Sequence, residues 1–428
     1  RHLVISTNWE GDKNEFESAV DLSRVRSLTV FGKWRPFFIS DKMRVLRVLD
    51  LEGTSGLVGH HLEHIGKLLH LRYLSLRGCI GICHLPADSL GNLKNLETLD
   101  IFGTYILKLP KTITKLRKLG HLLAGNLCNN DEDMYKEVTK GLPKPKACIL
   151  TLYLLGFCAA CCAPRLLQEN LTEKDGEMNR SDVCTTCCCM MFPFLATNKV
   201  PVHMPRGIGK LKALRTLGLV NLAWDKAILQ DIKRLTQLRR LAVTGISKKN
   251  GQEFGSVVAN LSCLKYLLVQ SRGMPGLCDC LNGWVEGLQN LVNLALWSSR
   301  ILEYDAAMQV LGKLPNLVNL RLMAKSFQGE DLRFTFHPEA FLSLTVLVLC
   351  DIDGLKSVEF EDGAMPQLER LFLCGSFEET NTGLFSGLPL LPSLKEFILD
   401  GKTYEDDFMK DLQGQLAKNE NGPVLKRW

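Results

Sequence analysis

Hydrophobic and polar positions along the chain repeat a single figure. It is plainest at Leu85–Ile101, LPADSLGNLKNLETLDI, which reduces to Leu-Pro, a polar turn, Leu-Gly-x-Leu and then Leu96-x-x-Leu99-x-Ile101. Hydrophobes at that spacing suit a short strand whose alternate side chains enter a core while the next turn of chain stacks beside it. The triple opens again at Val25, Leu46, Leu71 and Leu96, and after a long interruption at Leu214, Leu238, Leu264, Leu291, Leu317, Leu344, Leu368 and Leu394. The intervals are 21, 25 and 25 residues, then 24, 26, 27, 26, 27, 24 and 26. Weaker units at Leu119-Leu122 and Ile149-Leu152-Leu154 bring the expectation to about 13–14 turns. This predicts an α/β leucine-rich-repeat solenoid, a horseshoe with a parallel β-sheet on its concave face, on the order of 65 Å along the sheet.

The turns between strands carry their own signals. Leu62–Leu68, Leu90–Leu93 and Ile113–Leu116 place apolar residues at helical spacing, so a short helix or turn is expected on the convex side. Leu85-Pro86, Leu109-Pro110 and Met204-Pro205 share one phase, where proline fixes φ and starts the turn away from the sheet. Five segments follow. Residues 1–45 hold a strand at Leu3–Ile5, a loop and a second strand at Val25–Val30, with no polar cap, which suggests an upstream domain docked on this end. Residues 46–154 are regular repeats, 155–205 a cysteine-rich, partly disordered insertion loop, and 206–400 the C-terminal repeats. In 401–428, Phe408, Leu412 and Leu416 lie four residues apart, a helical stripe expected to cap the end before a short tail. The chain opens on a strand with no initiator methionine or signal segment, which suggests a piece of a longer protein.

Composition changes this picture little. The net charge of +6 permits an acidic partner without requiring one, and no Lys/Arg run or interleaving of aromatics with basic residues points to nucleic acid. Nine of the sixteen cysteines fall between Cys128 and Cys189, and neither end carries a paired-cysteine cap, so a reducing, intracellular setting is favoured. The sequons at Asn170, Asn179 and Asn260 are then read as chance. Cys158, Cys161, Cys184 and Cys187 form two Cys-x-x-Cys pairs that could supply four thiolates to zinc, although the spacing slightly exceeds that of a zinc ribbon. Reversible acylation and an insertion without a role remain the other readings, and no metal is assigned. Ala147–Ala163 carries no charge, but its first half keeps the repeat phase and reads as a buried strand rather than a membrane span. His60, His61 and His64 lack a third ligand and read as surface histidines. No phosphate-binding loop, nucleophile elbow or kinase signature occurs, so nothing argues for an enzyme.

The face opposite the leucines carries the remaining information. Within Leu-x-x-Leu-x-Leu-x, the third, fifth and seventh residues point into the hollow. In the first repeats these are polar, including Asp50, Glu52, Arg77 and Asp100. In the last repeats they are Trp297, Met323, Val348, Phe372 and Ile398, with Arg321 and Arg370 beside them, an apolar patch with aromatic and arginine anchors of the kind that binds protein.

Three repeats narrow the class. Leu85-Pro86 through Leu90-Gly91-Asn-Leu93-Lys-Asn-Leu96-Glu-Thr-Leu99, Met204-Pro205-Arg-Gly-Ile208-Gly209-Lys-Leu211-Lys-Ala-Leu214-Arg-Thr-Leu217, and Ile65-Gly66-Lys-Leu68-Leu-His-Leu71-Arg-Tyr-Leu74-Ser-Leu76 lack the asparagine ladder and Gly-x-Ile-Pro of plant extracellular repeats. They resemble the C-terminal region of plant intracellular nucleotide-binding leucine-rich-repeat (NLR) immune receptors, of the coiled-coil class common in grasses. Met43-Arg-Val-Leu46-Arg-Val-Leu49-Asp-Leu51 resembles that family's first well-formed repeat. The resemblance covers the chain except the cysteine loop at about 155–203. It implies recognition of a pathogen effector or a guarded host protein, autoinhibition of the receptor's own nucleotide-binding module, a paired receptor as a further partner, and a cytoplasmic location with nuclear or membrane-peripheral pools. It implies no cofactor in this chain, since ATP or ADP and magnesium would lie upstream. Trp297, Arg321, Met323, Val348, Arg370, Phe372 and Ile398 are the expected partner site, and Asp50, Glu52, Arg77 and Asp100 the expected contact with the upstream module. An F-box upstream of Arg1 would instead make the chain the substrate-selecting solenoid of a ubiquitin-ligase adaptor.

Overall fold

The computed structural model describes residues 1–7, 9–125, 202–223, 225–247, 249–271, 284, 287–375, 382–400 and 404–427. The chain divides into two compact units, Arg1–Val220 and Asn221–Trp428.

The first unit is built on parallel strands β1 (His2–Ile5), β2 (Ser27–Val30), β3 (Val48–Asp50), β4 (Tyr73–Ser75), β5 (Thr98–Asp100), β6 (His121–Leu123) and β7 (Thr216–Asn221), paired in sequence order. Register is set by the repeat: Leu28, Leu49, Leu74, Leu99 and Leu122 stand opposite one another, as do Thr29, Asp50, Ser75 and Asp100. The leucines are fully buried, each such side chain contributing about 1.5–3 kcal/mol. Three of the expected convex turns are present, as 3-10 turns at Gly59–Lys67 and Lys111–Lys115 and as a short α-helix at Ala87–Asn92, with Pro86 and Pro110 as N-caps of the last two. His61 Nδ1 accepts the Val58 amide at 3.2 Å at the start of the first turn.

One expectation is corrected in this unit. The loop expected after β1 contains helix α1 (Lys13–Ala19), held by a capping box in which Asp12 accepts the Glu15 amide at 2.9 Å and Glu15 accepts the Asp12 amide at 3.2 Å. Phe16 of α1 packs with Trp9, Phe37 and Phe38. The unit expected at Ile149–Leu154 lies outside the described residues; His121 and Leu122 of β6 pair directly with Thr216 and Leu217 of β7. Beside them His203 bridges to Lys108. The cysteine-rich segment, with Cys158, Cys161, Cys184 and Cys187, lies outside the described residues.

The second unit carries β8 (Arg240–Ile246), β9 (Tyr266–Ser271), β10 (Asn293–Trp297), β11 (Asn319–Met323), β13 (Val346–Cys350), β15 (Arg370–Cys374), β17 (Glu396–Asp400) and β18 (Val424–Arg427) in one parallel array. A second, three-stranded parallel sheet of β12 (Leu332–Phe336), β14 (Leu355–Phe360) and β16 (Phe385–Ser386) alternates with it in sequence. Phenylalanines fill the space between: Phe336 stacks on Phe360 at 5.2 Å, and Phe385 meets Phe397 of β17 edge-on at 5.1 Å. Gly387 makes the return from β16 possible, since at φ +79° a Cβ would fall 1.9 Å from the Phe360 carbonyl oxygen. Helices Ala227–Lys233, Gly251–Ala259 and Tyr304–Gly312 connect earlier rungs, each burying an apolar stripe. The stripe at Phe408–Leu416 is a helix, Asp406–Ala417, burying Phe408, Met409, Leu412 and Leu416. It does not end the stack: the expected tail is strand β18, a further rung on β17. Among the described residues no helix is long and apolar enough to cross a membrane.

Several neighbouring rungs are also joined by a side chain on the residue before the repeat's first leucine. Asn95, Asn290, Asn316, Ser343 and Ser393 each donate to a carbonyl of the preceding turn, those of Leu69, Ser262, Gln289, Pro315 and Pro366, at 2.6–2.9 Å. Asn421 repeats the bond to Pro392 at 2.7 Å. Each bond supplies a donor to a carbonyl that a convex turn leaves without a strand partner.

Candidate protein-interaction surface

Strand alternation builds the candidate surface. In the second unit the fifth positions form an unbroken register row, Leu268, Ala295, Arg321, Val348, Phe372, Ile398 and Lys426. The third positions run Tyr266, Asn293, Asn319, Val346, Arg370, Glu396 and Val424. On the seventh-position side Gln270, Trp297 and Met323 are in register, as are Cys350, Cys374 and Asp400.

Six of the seven expected partner-site residues are accessible. Arg321 and Arg370 are exposed, and Trp297, Met323, Val348 and Phe372 are half-buried on consecutive strands. Arg321 Nε donates to Asn319 Oδ1 at 3.3 Å, which directs the guanidinium along the sheet. Ile398 is the correction. It is only 4% exposed, lying in register between Phe372 and Lys426 once β18 is added. The unexpected strand adds Val424 and Lys426 to the rows instead, and Lys426 pairs with Glu396, whose carboxyl that hydrogen bond and the nearby Arg370 charge hold below the ordinary range.

The first unit presents a different chemistry. Asp50 is half-buried and Glu52 exposed, while Asp100 is only 6% exposed. Arg77 Nε lies 3.0 Å from Asp100 Oδ2, and its guanidinium sits 4.8 Å from the Phe102 ring centre. Asp100 Oδ1 also accepts the Phe102 amide at 3.0 Å. Asp100 is thus occupied within its own unit, and Asp50, Glu52 and the far side of Arg77 are what remains for a partner. Tyr73, absent from the expected set, stands in register between Val48 and Thr98; partial burial raises its phenol above the ordinary value, the hydrogen bond with Ser75 opposes this, and the Asp50, Asp100 and Glu52 charges add to it.

Chemically, the two surfaces offer ion pairs, hydrogen bonds and aromatic contact. Among the described residues no group of three or more His, Cys, Asp or Glu is placed to hold a metal ion.

Stacked in-register strands over a leucine core, with a turn or helix closing each repeat, define a leucine-rich-repeat solenoid. The chain belongs to the leucine-rich repeat region family, whose model matches residues 24–138 and 271–419. Disease resistance protein PIK6-NP of Oryza sativa subsp. japonica is 39% identical to it, across 95% of this chain and 39% of that protein. Disease resistance protein Pik-2 of the same plant is 26% identical across 95% of this chain and 40% of that protein. Disease resistance protein RPM1 of Arabidopsis thaliana is 26% identical over 42% of this chain and 18% of that protein. The chain therefore spans about two fifths of the length of the relatives that match it throughout. Among solved structures, a leucine-rich-repeat protein of Leptospira interrogans covers 94% of this chain and 90% of its own, with 17% identity and a TM-score of 0.46.

Proposed function

We propose that this chain is the ligand-binding leucine-rich-repeat part of an intracellular plant immune receptor. In this reading the second unit's patch recognises a pathogen effector or a guarded host protein. The polar rows of the first unit, at Asp50, Glu52 and Arg77, meet the receptor's own nucleotide-binding module and hold it inactive. One observation carries the proposal: Trp297, Met323, Val348 and Phe372 stand accessible on consecutive strands, with exposed Arg321 and Arg370 among them. Half-buried aromatic and exposed arginine side chains grouped on a sheet make an interaction surface in which a few anchors supply most of the affinity. The similarity to disease resistance proteins supplies the setting, and a cytoplasmic location goes with it.

The double variant Trp297→Ala/Phe372→Ala tests this. It should lose partner binding by at least about 2 kcal/mol, roughly thirtyfold, in co-purification or calorimetry with the cognate ligand, while far-ultraviolet circular dichroism stays unchanged. Binding at the parental level would remove the patch from recognition.

A further inference from the structure

Cys350 and Cys374 occupy the seventh position of adjacent strands β13 and β15, where the register sets them directly opposite each other. Both are free thiols, and both are half-buried on the accessible face of the sheet. Their surroundings make them unequal. Interaction with the Cys374 thiol is the main influence on Cys350 and draws its thiol below the ordinary value, against burial, the Asp351 and Asp400 charges and the hydrogen bond that the Cys350 thiol itself donates to Asp351 Oδ2 at 3.9 Å. The same interaction, with burial, pushes Cys374 upward. The backbone locks the geometry: the Asp351 amide donates to the Cys374 carbonyl at 2.9 Å, and the Gly375 amide to the Asp400 carbonyl at 3.3 Å. Gly375, at φ +107°, leaves the space Asp351 occupies, since a Cβ would fall 1.8 Å from Asp351 Oδ1. The contrast is Cys79, a core cysteine whose thiol is held 2.9 Å from the Leu51 carbonyl oxygen and pushed up to about 12 by burial.

We infer that Cys350 and Cys374 form a peroxide-oxidisable dithiol, with Cys350 as the attacking and Cys374 as the resolving sulfur. The Cys350 thiolate attacks one oxygen of hydrogen peroxide; an S–O bond forms, the O–O bond breaks, and the departing hydroxide takes a proton to leave as water. Cys350 is then a sulfenic acid. The Cys374 sulfur attacks it, the S–S bond forms, the S–O bond breaks, and a second water leaves with the Cys374 proton. One peroxide is reduced to two waters while two thiols become one disulfide. Neighbouring strands about 4.8 Å apart place opposed α-carbons within the range a disulfide spans. The bridge is accessible on the sheet face, where dithiol reductants of the thioredoxin class reopen it by thiol–disulfide exchange. It lies beside Met323 and Phe372, so under the proposed function it would alter the recognition surface; the oxidation chemistry itself does not rest on that reading.

The test uses the full chain, treated with hydrogen peroxide, alkylated and digested with trypsin. The sequence provides single-cysteine tryptic peptides for both residues, 334–356 and 371–395. Native chain should show these two peptides crosslinked, with loss of alkylation at both cysteines and recovery after dithiothreitol. Cys263, also half-buried, should stay alkylated. In Cys374→Ser the sulfenic acid has no resolving thiol, so dimedone should label Cys350; in Cys350→Ser, Cys374 should take up no more label than Cys263. Three results would overturn the inference: both cysteines still alkylated after peroxide, over-oxidation of either without the crosslink, or preferential labelling of Cys374. A crosslink that forms equally in urea would also sink it, by showing that the fold does not create the pair.

Discussion

At the scale of single residues, two side chains of the second unit carry more than their sequence context suggests. Asn419 is buried after the last helix, where its Nδ2 donates to the Leu388 and Leu391 carbonyls at 2.8 and 3.0 Å and its Oδ1 accepts the Asn421 amide at 2.9 Å. Alanine there removes three hydrogen bonds and leaves the two carbonyls only long backbone donors, the Leu391 and Leu394 amides at 3.3 and 3.5 Å, a loss of about 2–3 kcal/mol. Urea denaturation of Asn419→Ala should show a lower midpoint with an unchanged slope. Tyr404 donates to the Asp400 carbonyl at 3.2 Å and stacks near Phe408. Burial first, then the neighbouring Cys374, Asp400, Cys350 and Asp351 groups, pushes its phenol up to about 12. A phenol raised in the folded state stabilises fully below its unfolded value near 10 and loses that contribution as pH climbs towards 12. Ultraviolet titration should therefore resolve one late-ionising tyrosine that Tyr404→Phe removes. If the variant loses only an ordinary phenol, the burial assigned to Tyr404 is wrong. Ile398 teaches a related lesson: alternation assigns it to the accessible face, but only knowledge of the next strand reveals that it is covered.

Among elements, those legible in the sequence are the ones with several hydrophobes in phase. Leu46-Leu49-Leu51 and its counterparts announce a strand because three inward positions recur, and Leu62–Leu68 or Phe408–Leu416 announce a turn or helix because their spacing is helical. Elements with one inward residue escaped. Helix α1 buries only Phe16, so no stripe appears, although Asp12 and Glu15 write a capping box that could have revealed it. No residue of β18 is fully buried, and only Leu425 and its register with Phe397 continue the inward row. The second sheet was visible as alternation at Leu332-Arg-Phe334-Thr-Phe336, but it falls between counted repeats and reads as turn. The asparagine and serine ladder was missed because it precedes the strand rather than following it. Direct pairing of β6 with β7 yields a further prediction. An excision within 126–201 that returns Leu119 and Leu214 to a spacing of about 25 residues should leave cooperative unfolding and the far-ultraviolet spectrum intact. Loss of the folded signal would mean that the segment supplies part of the core.

Across the whole molecule, each unit spends its repeat letters in two separate ways. The first, fourth and sixth positions are buried leucines or their equivalents, and the third, fifth and seventh are largely free to differ. Packing free energy resides in the first set, where trimming a leucine leaves a cavity and costs roughly 2–5 kcal/mol. Changes in the second set, where they are accessible, usually fall within about 0.5 kcal/mol of neutral for folding. Every accessible rung is therefore a slot whose chemistry can be exchanged without renegotiating the core. Four or five such rungs, each open to many side chains, give a combinatorial library of surfaces on one unaltered backbone. A lineage under pressure from a changing ligand could sample that library one substitution at a time while every intermediate remained folded.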